Sequence, residues 1–257
     1  MDPGLRSPLL DFFRRGEVAR DVRLLAAQGA LAPRAHEQLA LLVLLSDDPD
    51  AEIARATAAT LDALPEQPLR GFLARSDVPA EMRKFFATRG IDSAGVPASE
   101  TEAPLIDTLA ELAEAPAAED AGGERKVLSS LPVIERMKLA MKGTREQRAQ
   151  LVRDSNKLVS AAVLSSPKLT EAEVEAFAKM GNVSEDVLRI IGTNRSWTKN
   201  YGVVAGLCRN PKTPPAMSMH MLNRLNERDL KMLSIDRNVP ETLRQLSKKI
   251  LTKAKFG

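Results

Sequence analysis

Short helices separated by a recurring capped turn constrain this chain more than any other feature of its sequence. In most segments the apolar residues recur with the 3.6-residue period of an amphipathic α-helix. Between segments, an Asp or Asn able to cap a helix is followed by Pro, Thr or Ser in the first turn, then by Glu and a new apolar row. A helix of about ten residues is marginally stable alone, so such helices have to stack and bury a shared core.

The turns repeat within the C-terminal half. The turn at residues 163–170 returns 44 residues later at 207–214, and the turn at 182–189 is echoed at 238–244. Residues 76–83 carry the same pattern in the N-terminal half. We predict nine helices after residue 131: 132–141, 145–153, 157–165, 171–180, 184–191, 198–209, 215–225, 227–235 and 240–251. This recurrence is typical of α-solenoids.

The composition agrees with a helical chain. Aromatic residues make up only 4% of the sequence, with one Trp and one Tyr, whereas β-sandwiches and barrels need more aromatic and β-branched residues. One Cys excludes an intramolecular disulfide, and with two His it leaves few ligands for a metal. The prediction is an all-α fold.

The charge divides the chain into three parts. Residues 1–92 carry 12 basic and 14 acidic side chains, residues 93–124 carry eight acidic and no basic ones, and residues 125–257 carry 25 basic and 12 acidic ones. The middle part is also rich in Pro, Ala and Gly and poor in core residues. We predict an N-terminal helical-repeat domain (1–92), an acidic Ala/Glu/Pro linker (93–124) and a basic C-terminal helical-repeat domain (125–257).

One stretch of the linker has an apolar face, formed by Leu105, Ile106, Leu109 and Leu112. The spacing predicts a short amphipathic helix near 105–115, after Pro104. Two interpretations stay open: the linker is a plain solubilising tether, or these four side chains dock in a groove of the basic domain as an intramolecular pseudo-ligand.

Two motifs resemble a known class of repeat protein. Residues 44–58 read Leu-Leu-Ser-Asp-Asp-Pro-Asp-Ala-Glu-Ile-Ala-Arg-Ala-Thr-Ala, and residues 210–214 read Asn-Pro-Lys-Thr-Pro. They resemble HEAT-like and variant leucine-rich repeat α-solenoids of bacteria, and the C-terminal half resembles uncharacterised bacterial helical-repeat proteins. The resemblance implies two superhelical all-α domains used for macromolecular contacts. The N-terminal cysteine cluster of some variant leucine-rich repeat proteins does not carry over, because Cys208 is the single cysteine.

The sequence offers few signs of enzymatic chemistry. It contains no Walker-type phosphate loop, no Gly-x-Gly-x-x-Gly and no Gly-x-Ser-x-Gly. The single His-Glu pair is His36-Glu37, so we expect no metal site, no cofactor and no enzymatic activity. Cys208 is interpreted as a small buried hydrophobic residue and His220 as a helix-surface residue.

The N-terminal sequence and the longest apolar run bear on location. Residues 1–6 include an acid and lead into no uninterrupted apolar run. The longest apolar run, residues 39–45, is far shorter than the roughly 20 residues of a membrane span. We expect a cytoplasmic protein without a membrane span.

The candidate binding residues cluster around the rare aromatics. Trp197 and Tyr201 lie four residues apart, which places them on one face if they share a helix. Aromatic and basic side chains together suit protein hot spots and stacked bases, although packing at a repeat junction is the plainer interpretation. The full candidate set for binding a partner is Arg195, Trp197, Lys199, Tyr201, Arg209 and Lys212.

Two further features stay open between structure and binding. The methionines Met217, Met219, Met221 and Met232 are core-filling residues or an adaptable binding groove. The basic surplus is a solvated face or an electrostatic patch. The leading hypothesis is a non-enzymatic scaffold or adaptor whose basic solenoid binds an acidic protein; the alternative is sequence-nonspecific nucleic-acid binding by the same surface.

Overall fold

The computed structural model describes residues 7–106 and 128–256, and every regular element in them is helical. This confirms the all-α fold class. Fifteen α-helices lie in these ranges: α1 (Pro8–Arg14), α2 (Arg20–Ala27), α3 (Ala35–Leu45), α4 (Ala51–Asp62), α5 (Glu66–Leu73), α6 (Ala80–Ala87), α7 (Val133–Lys142), α8 (Arg145–Leu151), α9 (Lys157–Leu164), α10 (Glu171–Lys179), α11 (Glu185–Thr193), α12 (Tyr201–Arg209), α13 (Pro215–Met221), α14 (Glu227–Ile235) and α15 (Glu241–Phe256). Three short 3₁₀ helices accompany them: Leu128–Ser130, Trp197–Lys199 and Leu222–Arg224.

The chain divides into two compact units, Met1–Met141 and Lys142–Gly257, with the division at the C-terminal end of α7. The domain limits predicted from charge, 1–92, 93–124 and 125–257, stay a prediction. Much of the linker, residues 107–127, lies outside the described residues.

The core of the N-terminal unit is α3. Its side chains are buried without interruption from Glu37 to Val43, and α1, α2, α4 and α6 pack against it. Arg23 of α2 donates to both carboxylate oxygens of Asp48, at 2.7 and 2.6 Å, which fastens the turn between α3 and α4. In the same turn the Asp50 carboxylate accepts a hydrogen bond of 2.9 Å from the backbone N–H of Glu52. The acidic stretch 47–50 within the motif 44–58 therefore forms the turn before α4, and Asp50 caps that helix.

After α6 the chain runs back over the N-terminal unit without forming a helix. The Glu102 carbonyl accepts a hydrogen bond of 3.0 Å from the backbone N–H of Ala35 at the start of α3. Leu105 and Ile106 lie in a bend beside Gln38, so the predicted amphipathic helix does not include them. Leu109 and Leu112 lie outside the described residues.

The C-terminal unit is helical-repeat-like. Helices α8, α11 and α14 each begin after a side chain that accepts a hydrogen bond from the backbone N–H three residues on; these caps are Thr144, Ser184 and Asn226. The next helices, α9 and α12, begin after Asn156 and Asn200, which accept from the N–H two residues on. The caps recur at intervals of roughly 40 residues, the length of a two- or three-helix repeat.

The packing follows the same order. Counted from the caps Thr144, Ser184 and Asn226, the helices form the groups α8–α10, α11–α13 and α14–α15. The third helix of one group packs against the second helix of the next group: α10 packs on α12, and α13 packs on α15. Gly206 lets α12 approach α10: a Cβ on it would lie 3.2 Å from the Ala178 Cβ and 3.1 Å from the Lys179 Cγ. The buried amide of Asn210 donates to the carbonyls of Ala178 and Met180, each at 3.0 Å. The Asn-Pro turn therefore caps the C-terminal end of α10.

A buried ion pair joins α8 to α10. Arg148 donates to the Glu173 carboxylate at 2.9 and 3.1 Å, and the two residues are only 5% and 2% exposed. Arg148 also donates to the Gly143 carbonyl at 2.9 Å, and Glu173 accepts from the Thr170 backbone N–H at 3.0 Å in a capping box. The pair is the most fully buried contact between opposite charges in the described part of the chain.

The nine helices predicted in the C-terminal half are confirmed, most of them within two residues at each end. The main difference concerns the predicted helix 198–209. Asn200 adopts an extended conformation and caps α12 with its side chain, which separates Tyr201 from the 3₁₀ helix Trp197–Lys199. Trp197 and Tyr201 therefore lie on two helical segments instead of one continuous face. Asn is among the strongest capping residues, which explains the break.

None of the helices in the described ranges combines the length and the apolar character that crossing a bilayer requires.

Candidate interaction surface

Two of the six predicted binding residues meet at one carboxylate. The Tyr201 hydroxyl, at the start of α12, and the Arg209 guanidinium, at its end, both donate to Asp229 of α14. The Tyr201 hydroxyl also accepts a hydrogen bond of 3.2 Å from the backbone N–H of Asn226. Partial burial and the Asp229 carboxylate raise the pKa of Tyr201 above its ordinary value. Asp229 therefore fixes both ends of α12 against the start of α14.

The other four predicted residues lie in the loops that flank α12. Arg195 and Lys199 are exposed and Trp197 is half-buried in the segment before the helix, while Lys212 is exposed in the turn after it. Arg224 donates to the Thr198 carbonyl and so ties this segment to the 3₁₀ helix Leu222–Arg224. The segment that carries the single tryptophan is thus held in place through its backbone.

Helix α14 exposes two large apolar side chains. Met232 is 54% exposed and Ile235 is 71% exposed, whereas Leu230 and Leu233 of the same helix are buried. Met232 and Ile235 are three residues apart and therefore neighbours on the helix surface. We call this pair the α14 ridge. Within the described residues only Tyr201 and Met219 are other large side chains of this kind that are exposed.

A shallow depression lies on each side of the α14 ridge, and basic side chains line both. One, of about 380 Å³, is lined by the ridge together with Arg209, Leu233, Asp236 and Arg237. The other, of about 600 Å³, is lined by the ridge together with Asn226, Glu227, Arg228 and Lys231. The surface is thus apolar at its centre, and its rim carries four basic side chains (Arg209, Arg228, Lys231 and Arg237) and two acidic ones (Glu227 and Asp236). An apolar centre with a polar rim is typical of protein-binding patches.

The positive charge is concentrated in the part of the chain that carries this surface. Residues 142–186 hold seven basic and seven acidic side chains, whereas residues 187–257 hold 14 basic and four acidic ones. Three of those four acids are paired: Glu227 with Lys231 at 2.6 Å, Asp229 with Arg209, and Glu241 with Arg244. In contrast, nine exposed cations in 187–257 make no ion pair within the described residues: Arg195, Lys199, Lys212, Arg224, Arg228, Arg237, Lys248, Lys249 and Lys253.

Sequence reasoning missed Ile235 and the rim residues Arg228, Lys231 and Arg237, and it left Met232 undecided. The signal was the number of apolar residues in α14. A nine-residue amphipathic helix buries one stripe, here Leu230 and Leu233, so two more apolar side chains in the same helix must lie outside it. Met232 is therefore not a core-filling residue, whereas Met221 is buried in the core.

The residues considered for metal or redox chemistry are engaged in packing. The His36 ring packs edge-on against Phe72, with ring centroids 4.6 Å apart, and burial lowers its pKa. Across residues 7–106 and 128–256, no group of three His, Cys, Asp or Glu side chains is placed to hold a metal ion. Cys208 is buried in α12 with its sulfur 3.8 Å from the Ser218 carbonyl oxygen.

The burial of Cys208 leads to a direct prediction. Burial raises the pKa of its thiol to about 12, so almost no thiolate exists at neutral pH. We expect the native protein to react with a thiol-specific reagent such as dithionitrobenzoate far more slowly than the urea-denatured protein, which should release one equivalent of chromophore. Equal rates in the two states would contradict the buried position.

Comparison of the chain with family models, curated proteins and solved structures found no match in any of the three. The fold places it in the broad class of all-helical, repeat-like proteins, and the site that can be described is a surface patch.

Proposed function

We propose that the protein is a non-enzymatic cytoplasmic adaptor of the HEAT-like α-solenoid kind, and that the α14 ridge binds an acidic protein partner. The observation that carries the proposal is the exposed pair Met232 and Ile235 within a basic rim. Fully burying an aliphatic side chain of this size contributes about 1.5–3 kcal/mol, so a solvent-exposed pair is a strong anchor for a partner. The recurring caps and the α10–α12 and α13–α15 packing support the solenoid assignment.

The rim specifies the charge of the partner. Arg228 and Arg237 flank the ridge on opposite sides and have no described acidic neighbour within ion-pair distance. An amphipathic helix with aliphatic residues on one face and carboxylates beside them would cover the ridge and pair with both arginines. Methionine adapts to different apolar shapes, which suits Met232 to such a contact. The predicted partner segment is therefore acidic, amphipathic and helical.

Nucleic-acid binding is the second candidate, supported by the excess of cations in residues 187–257. Phosphate recognition uses the basic side chains and does not need an aliphatic ridge. The two candidates therefore make opposite predictions for variants of the ridge.

The test is a binding titration by fluorescence anisotropy, with two labelled probes and a salt series. One probe is an acidic amphipathic peptide with leucines at helical spacing and glutamates between them; the other is a short DNA duplex. We expect the full chain to bind the peptide, and both M232S/I235S and R228E/R237E to weaken that binding about tenfold or more. M219S, at an exposed methionine outside the α14 ridge, is the control and should bind as the wild type does.

The outcomes separate the candidates. Peptide binding that M232S/I235S leaves unchanged would contradict the adaptor proposal. DNA binding with a steep salt dependence, lost in R228E/R237E and kept in M232S/I235S, would favour nucleic acid instead.

A further inference from the structure

The N-terminal unit holds an extended segment of its own chain by the backbone. We call residues 97–106 the strap. The Gln38 side chain of α3 accepts hydrogen bonds from the backbone N–H groups of Leu105, at 2.8 Å, and Ile106, at 3.2 Å, and donates to the Ile106 carbonyl at 2.7 Å. Its amide also donates to the Gly29 carbonyl at 3.0 Å, which holds Gln38 in the orientation that binds the strap.

The strap also contacts backbone groups that the ends of helices leave free. Helix α3 begins after Arg34, whose side chain makes no capping hydrogen bond, and the Glu102 carbonyl accepts from the Ala35 N–H at 3.0 Å in its place. Near the C-terminal end of α5, the Gly71 carbonyl accepts from the Ser99 N–H at 2.9 Å. A Cβ on Gly71 would lie 3.4 Å from the Ser99 Cβ, so a glycine there leaves room for the strap.

Side chains of the strap contribute less to its binding than its backbone does. Leu105 and Ile106 are only half-buried, and Glu102 is an exposed partner of Arg34 at 3.6 Å. A segment that buries little apolar area and is held by hydrogen bonds opens locally at a much lower free energy than a core helix does. Recognition through backbone atoms also tolerates different sequences.

We propose that this surface of the N-terminal unit is a peptide-binding site, and that an extended segment of another protein binds there in place of the strap. The ligand needs free backbone N–H groups at the positions of Leu105 and Ile106, which excludes proline there. The ligand should also carry an acidic residue at the position of Glu102, where it can pair with Arg34. Two aliphatic residues at the positions of Leu105 and Ile106 would fill the half-buried places beside Gln38. The strap is then the internal competitor that sets how tightly such a peptide binds. Unlike the proposed function, this inference concerns only the N-terminal unit.

The test uses a full chain in which residues 99–106 are replaced by a Gly-Ser sequence of equal length with proline at positions 99, 105 and 106, which removes the three backbone N–H groups through which the strap binds. The probe is a labelled peptide of residues 97–106 with blocked ends, followed by fluorescence anisotropy. We expect it to bind the replaced chain about tenfold or more tightly than the wild type, whose strap competes. A peptide with N-methyl groups on Leu105 and Ile106, which removes two donors and keeps every side chain, should lose about tenfold in affinity. Gln38→Leu in the replaced chain should cause a similar loss.

Several outcomes would overturn the proposal. One is a replaced chain that keeps its helical circular dichroism and yet binds the peptide no better than the wild type does. Another is equal binding of the unmodified and the N-methylated peptide by the replaced chain. Dimers of the wild type formed by exchange of straps would assign the site to a second copy.

A hydrogen-exchange measurement on the wild type covers the case in which the replaced chain does not fold. We expect the amides of Ser99, Leu105 and Ile106 to exchange much faster than those of α3, because the strap opens while α3 stays folded. Exchange of the strap and α3 at the same rate would show that the strap opens only with the whole unit, and the proposal would fail.

Discussion

The variant R148M is expected to lose about 3–5 kcal/mol of its free energy of unfolding, because it leaves the buried Glu173 carboxylate without its cation. Methionine keeps most of the volume of the arginine stem, so the loss reports on charge more than on a cavity. The measurement is urea denaturation followed by the fluorescence of Trp197, the single tryptophan. Because Trp197 lies in the unit Lys142–Gly257, its signal reports on the unit that contains the ion pair.

A double variant separates the charge from the rest of the site. In R148M/E173Q, glutamine can keep the capping box with Thr170, because either Glu or Gln can occupy the third helical position of such a box. Glutamine carries no charge, so no unpaired carboxylate is left buried. We expect the double variant to recover at least half of the stability that R148M loses. The control K179M removes an exposed ion pair with Glu175 and should change stability by about 0.5 kcal/mol or less. A double variant no more stable than R148M would contradict an electrostatic cause.

The second large effect is expected at Gly206, where α12 passes closest to α10. Even a Cβ there would lie 3.4 Å from the Ala178 carbonyl carbon and closer still to two side-chain carbons, so leucine must push the two helices apart. Overpacking of this kind costs about 1–3 kcal/mol and sometimes more. We expect G206L to lie at the upper end of that range, near 3 kcal/mol, because the Ala178 Cβ and carbonyl carbon are fixed to the backbone of α10 and cannot rotate away.

The matched control for G206L is the same substitution at Gly181. A Cβ on Gly181 would meet no atom within 4 Å, and its backbone does not have a positive φ. We expect G181L to change the free energy of unfolding by about 0.5 kcal/mol or less, in the range of surface substitutions. If G206L were as stable as G181L, the close α10–α12 contact would be wrong.

Local signals in the sequence predict most of the helix ends. Caps such as Thr144, Thr170 and Ser184 are short polar residues placed before an apolar row, and their hydrogen bonds depend only on residues two or three positions away. The break at Asn200 could have been predicted by the same rule, but the apolar and aromatic residues on both sides suggested one longer helix. Here local capping outweighed the periodicity.

Contacts between distant residues could not be predicted from the sequence alone. Arg148 and Glu173 lie 25 residues apart, and nothing in either local pattern shows that they meet. Gln38 binds the strap 67 and 68 residues along the chain, where periodicity predicted an amphipathic helix. The strap forms hydrogen bonds with backbone groups at the ends of α3 and α5, which are distant in sequence. A local sequence pattern contains no information about these distant groups.

The candidate site could be predicted only as a region. Charge and the rare aromatics pointed to the stretch around α12, and Arg209 does line the α14 ridge surface. The exposure of Met232 and Ile235 depends on which stripe of α14 packs into the unit. That is decided by its neighbours, above all α15, which packs against it.

Site-specific photo-crosslinking at the α14 ridge tests the central claim most directly. The full chain would carry p-benzoylphenylalanine in place of Ile235, with the same photoreactive residue in place of Met219 as the control, in cells that make the protein. We predict an adduct with an acidic protein at position 235 that is absent at position 219 and is lost when R228E/R237E is added. Adducts that are equal at the two positions, consist of a second copy of this chain, or persist in R228E/R237E would contradict the assignment of the α14 ridge as the partner-binding surface.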